Sequence, residues 1–166
     1  MATNVRSDRA LKIQNARILT GVYFGLLAVV FTLLLDATIY LLGLNQILPL
    51  FEGTLLAMLV ATVFGMLFGE KIVHAKSPFK RHVFIWGWLM TLLALPVYDL
   101  GFLLFYVMQH TDFIVSMSLM TLLQLYGVIF LQSFVLIGFW LAIIAGFAAI
   151  YLRARLVYYI IDSADD

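Results

Sequence analysis

The chain has no cysteine in 166 residues. That absence excludes disulfides, thiol redox chemistry, thiolate-held iron–sulfur clusters and cysteine-based zinc sites. It says nothing of compartment, because a bundle embedded in lipid needs no staples. Charge is scarce too: 11% of residues are charged and 64% hydrophobic, where a soluble domain carries about a quarter and about half. With so little polar surface no water-facing globule can be covered, so a soluble enzyme domain, a disordered chain and a nucleic-acid binder are excluded. The histidines, His74, His82 and His110, all lie in or beside connectors, so a haem held by two histidines within a membrane finds no ligands. HExxH, GxSxG, P-loop, histidine-box and aspartate-rich phosphotransferase signatures are absent as well. The expectation is a chain that is not an enzyme, with no catalytic residues, no cofactor and no metal site.

What the chain does have is long apolar runs: Ile18–Leu44, about Pro49–Phe68, about Val83–Met108, and a continuous stretch from Phe113 to Leu152. The first is about 27 residues, and a helix rising roughly 1.5 Å per residue carries it across a hydrocarbon slab of ~30 Å. A signal peptide has a shorter core and a small-residue cleavage site. The runs lack the two-residue alternation of a transmembrane barrel. The predicted fold is an all-α integral membrane protein, a four-transmembrane-helix bundle over residues 18–155, with spans at about 18–44, 49–69, 83–108 and 127–152.

All ten lysines and arginines fall in three places: before the first run, in the second connector, and after the fourth run. Under the positive-inside rule the basic segment 1–17, the second connector and the acidic tail 156–166 are cytoplasmic. The localisation expected is multi-pass, in a bacterial inner membrane. Trp86, Trp88, Tyr151, Tyr158 and Tyr159 sit at the cytoplasmic ends of their helices, as an aromatic belt does. Lys71, Lys76, Lys80 and Arg81 in the second connector are candidates for contact with anionic headgroups or with a cytoplasmic partner.

The fourth stretch is too long for one untilted span. A segment over 112–126 lying in the outer interface, with a bend at Gly127, is the expected solution; one long helix covered by another subunit is the alternative. Gly21 and Gly25, Gly65 and Gly69, and Gly138, Ala142 and Gly146 form small-residue faces. Such faces let helices of this chain, or of a partner, approach closely. Gln124, Gln132, Ser118, Thr121 and Ser133 give the fourth stretch its polar content, with interhelical hydrogen bonding as the expected use.

Two carboxylates fall inside spans, where each costs roughly 2.5–3.5 kcal/mol at the centre. Asp36 is eighteen residues beyond Ile18 and Asp99 sixteen beyond Val83. Both are therefore expected at a shared depth about 25 Å up, in the outer quarter of the bilayer. Two readings stand side by side. In one, Asp36 and Asp99, with Tyr40 and Tyr98, form a proton or cation site, which Glu52, His110 and Asp112 extend. In the other, each carboxylate reaches water or a neighbouring hydroxyl. The leading functional expectation is a non-catalytic subunit or assembly component of a larger membrane complex, its partners lipid and either other integral subunits or further copies of itself. A small oligomeric transporter or channel using the two aspartates is the alternative. A plan of four spans is common to many unrelated proteins and lends no function by itself.

Overall fold

A computed structural model describes residues 15–43, 50–76, 78–109 and 118–157. Most of the basic N-terminal segment, the turn 44–49, Ser77, the connector 110–117 and the tail from 158 lie outside the described residues, and with them His110, Asp112, Tyr158 and Tyr159.

Four helices make up the described residues: α1 (Ala16–Leu41), α2 (Leu50–Val73), α3 (Phe79–Gln109) and α4 (Leu119–Leu156). All are long and apolar enough to cross a membrane, and no strand occurs among the described residues. Backbone bonds closed within each helix are what an apolar solvent demands. α1 stops at Gly43, whose φ of 68° is a left-handed conformation that a side chain resists. α2 runs past Gly69, because that glycine marks a helix contact and not a helix end. α3 begins at Phe79, four residues before the apolar run, so its first turn carries Lys80, Arg81 and His82.

α1 and α2 pack antiparallel on their small residues. A Cβ on Gly65 would lie 2.9 Å from Gly21 Cα and 2.9 Å from the Thr20 carbonyl. Only glycine permits that approach. Gly69 backs in the same way on Ala16 and Arg17, and Gly25 faces the Thr62 side chain. α3 and α4 form a second antiparallel pair, in which a Cβ on Gly87 would lie 2.9 Å from the Ala145 carbonyl and Gly138 faces Leu95. Ala142 is fully buried, and Gly146 lies against the Phe84 ring. α2 joins the pairs by packing on α3.

The buried core lies toward the end that carries the lysines and arginines, here the basic end. It contains Phe24, Ile72, Val83, Met90, Ala145, Ala149 and Leu152, one or more from each helix. Tyr23 Oη donates to the Ala148 carbonyl at 3.3 Å, tying α1 to α4 there. Toward the other end, which carries Asp36 and Glu52, burial thins. α1 buries nothing beyond Gly25, and α4 buries nothing between Leu119 and Ser133.

The helix is not interrupted at Gly127, where a bend is expected from the sequence. The helix runs through Gly127, around which there is open space; one glycine weakens a helix by about 1 kcal/mol and does not break it. The departure from α geometry lies further on, in a π-helical turn at Phe134–Gly138, with a second at Leu152–Leu156. α4 is thus one helix of 38 residues, about 57 Å long, against about 39 Å for α1. The described part of the segment expected at 112–126 forms the first turns of this helix.

Candidate functional site

Asp99 is the most deeply placed carboxylate among the described residues, 3% exposed on α3. Ser133 of α4 donates its hydroxyl to Asp99 Oδ2 at 2.5 Å, and the same hydroxyl lies 3.1 Å from the Phe130 carbonyl. Ser133 immediately precedes the π turn at Phe134–Gly138. Such turns arise where one extra residue is absorbed and are frequent at functional sites. About two turns away on α4, Tyr126 donates to the carbonyl of Pro96, the only proline inside α3, at 3.0 Å. α3 and α4 are therefore joined at two successive points by polar side chains, within otherwise apolar surroundings.

The depth of Asp99 follows from the helix register. Gly101 faces Leu56, so Asp99 is level with about Met58 of α2, while Gly25 faces Thr62, which makes Asp36 level with about Phe51. The two carboxylates are then about 10 Å apart along the axis. They do not share a level, contrary to the expectation from sequence. The cause is that α3 starts nearer the basic end than α1: Lys71 sits over the Trp86 ring at 4.2 Å, whereas Gly69 is level with Arg17. Counting from Ile18 and Val83 as equals placed Asp99 too far out. On the same scale Asp99 lies about 17 Å from the level of Arg17, deep in the apolar part of the bundle.

The neighbours divide likewise. Tyr98 turns to α2, its hydroxyl 3.9 Å from where a Cβ on Gly53 would be, while Asp99 turns to α4. Asp36 is half-buried and Tyr40 is 79% exposed. Near their level Gln109 donates to Glu52 at 2.6 Å, forming a polar rim at the acidic end. Thr54, also on α2, has a buried hydroxyl with no hydrogen-bond partner among the described residues.

The basic end is knitted together more tightly. Arg153 is fully buried, reaches the Ala75 carbonyl at 3.2 Å and stacks on Phe79 at 4.8 Å. It thereby fastens the end of α4 beneath the α2–α3 connector. Arg17 and Glu70 pair across α1 and α2 at 3.0 Å, both largely exposed. Of the four connector cations, Lys71 is engaged with Trp86, and Lys76, Lys80 and Arg81 are exposed. Sequence reasoning took Arg153 for a topology marker and missed its anchoring role; no spacing in the chain signals it. No group of three or more acidic or histidine side chains that would hold a metal occurs among the described residues.

The remaining polar groups of α4 diverge. Ser118 caps the helix, accepting from Thr121 N at 3.2 Å. Gln124 and Gln132 are exposed, on the side turned away from α3, and have no hydrogen-bond partner among the described residues. Comparison of the chain with known protein families, curated proteins and solved structures finds no match.

Proposed function

We propose that this chain is a non-catalytic integral subunit, or scaffold, of a larger membrane protein complex. One observation carries the reading: Gln132, adjacent to the Ser133–Asp99 bond and so at apolar depth, presents its carboxamide to the outside of the bundle. Lipid tails offer a carboxamide no partner, and interhelical hydrogen bonds are the usual remedy. The excess length of α4 supports the same reading, since exposed Leu119, Met120 and Leu123 rise above the level of Asp36 and Glu52. The orientation that goes with it has both termini and the α2–α3 connector cytoplasmic. In a bacterial inner membrane, exposed Lys76, Lys80 and Arg81 then meet anionic headgroups. Gentle detergent extraction, native electrophoresis and mass spectrometry test it. A species larger than the chain and containing other polypeptides is expected; the chain migrating without other polypeptides overturns it.

A second reading, a small transporter for protons or monovalent cations, is favoured by Asp99 alone. A buried carboxylate at this depth, paired with a serine hydroxyl and with no lysine, arginine or histidine among the described residues, is a default candidate for ion handling. In proteoliposomes with a pH-sensitive dye, Asp99→Asn abolishes any flux while Asp36→Asn, about 10 Å away along the axis, preserves it. Flux that survives Asp99→Asn removes this reading.

A further inference from the structure

α4 carries an unbroken exposed stripe on the side opposite α3. Gln124, Val128, Gln132 and Leu136 follow one another at four-residue intervals, and Trp140, Ile144, Phe147 and Tyr151 continue it. Four-residue steps drift slowly around a helix, and the π turn at Phe134–Gly138, which adds a residue to one turn, offsets that drift. The stripe bears no charge. Besides the Trp140 indole and the Tyr151 hydroxyl, its polar groups are the two carboxamides, neither bonded to any described residue. Gln124 lies about 12 Å from Gln132 toward the acidic end, near the level of Glu52, where water is within reach. Gln132 lies level with Asp99, where it is not.

We infer that this stripe is the contact face for α4 of a second copy of the chain, packed side by side in the same orientation. The argument for this occupant is self-complementarity. A carboxamide carries both a donor and an acceptor. Across a two-fold axis along the membrane normal each stripe residue meets its own counterpart, so two Gln132 side chains satisfy each other reciprocally. A foreign helix needs a polar group of its own at the same depth, whereas a second copy brings it automatically. Gln124 then meets Gln124 about two turns higher, which fixes the register. Val128, exposed between them, lies at the crossing.

This inference rests on the reading of α4 as an assembly face, and the two fail separately. Because the chain lacks cysteine, single cysteines report contacts cleanly. In native membranes under mild oxidation, Val128→Cys should give a disulfide-linked pair of two identical chains. Leu100→Cys, exposed at a similar level on α3, should stay monomeric. In the same background, Gln132→Leu should weaken association by about tenfold, and Gln132→Asn should recover most of it. A Val128→Cys chain that stays monomeric, that crosslinks no better than Leu100→Cys, or that joins a different polypeptide overturns the proposal. A homodimer without other polypeptides supports it while removing the hetero-complex reading; a hetero-complex without the crosslink does the reverse.

Discussion

At the scale of single residues, two kinds of side chain decide this fold: those that are absent and those that are buried and polar. Gly65 exemplifies the first. Its place against Gly21 leaves no room for a methyl, so Gly65→Ala should lower stability by about 1–3 kcal/mol through a forced separation of α1 and α2. Gly127 faces open space, and Gly127→Ala should be neutral or stabilising by up to about 1 kcal/mol. Unfolding by denaturing detergent measures both. Arg153 exemplifies the second kind. Arg153→Met keeps bulk but removes the donor to Ala75 and should cost about 1–3 kcal/mol. Trypsin should then cut faster at Lys76 or Lys80 than in the parent chain; unchanged cleavage would show that the connector is held by other contacts. The glycine faces were legible in the sequence because a four-residue spacing is a local pattern. Asp99 was legible as a buried acid, but its level and its partner Ser133 were not, since both depend on how α3 slides against α2 and α4.

At the scale of helices, the number and rough limits of the four runs could be read from hydropathy alone, because a span needs only length and apolarity. Where α4 departs from α geometry could not. Glycine is a local signal for a bend, but Gly127 makes no contact that would hold one. The π turn follows instead from a tertiary fit, with Ser133 bonded to Asp99 on one side and Gly138 seated on Leu95 on the other. That difference is testable. Removing Val135, exposed within the turn, should relax it to a regular α-helix and leave both flanking faces aligned. Removing Val128 from the regular part should rotate everything before it by about 100° relative to the rest. Folded yield after extraction should be near that of the parent chain for the first deletion and much reduced for the second. Equal yields would mean that the turn absorbs no extra residue.

At the scale of the whole molecule, the chain is two antiparallel pairs fused at one end. Its segregated cations make a definite expectation for topology. Cysteine placed at Gln109 should react with an impermeant maleimide on intact cells, and cysteine placed at Ser77 only after the membrane is opened. Labelling at Ser77 in intact cells would invert the orientation. The convergence of all four helices at the basic end, where Phe24, Ile72, Val83 and Ala149 meet, was not legible in the sequence. Each helix is apolar on every side, and composition gives no clue to which side faces protein and which faces lipid.

The two pairs also differ in height. Between Arg17 and Asp36 on α1, or Glu52 and Glu70 on α2, the uncharged stretch is about 27 Å long, while on α4 it runs uninterrupted from Leu119 to Leu152, about 50 Å. A bilayer has one resting thickness, so with this chain inserted the lipid annulus would thin beside one flank or swell beside the other, and either distortion would carry an elastic cost for every ångström of mismatch. A neighbour seated along the tall flank would relieve that strain merely by displacing the distorted lipid. Assembly on the α4 side should therefore be stronger in short-chain lipids than in long-chain ones, whatever the neighbour's own side chains contribute.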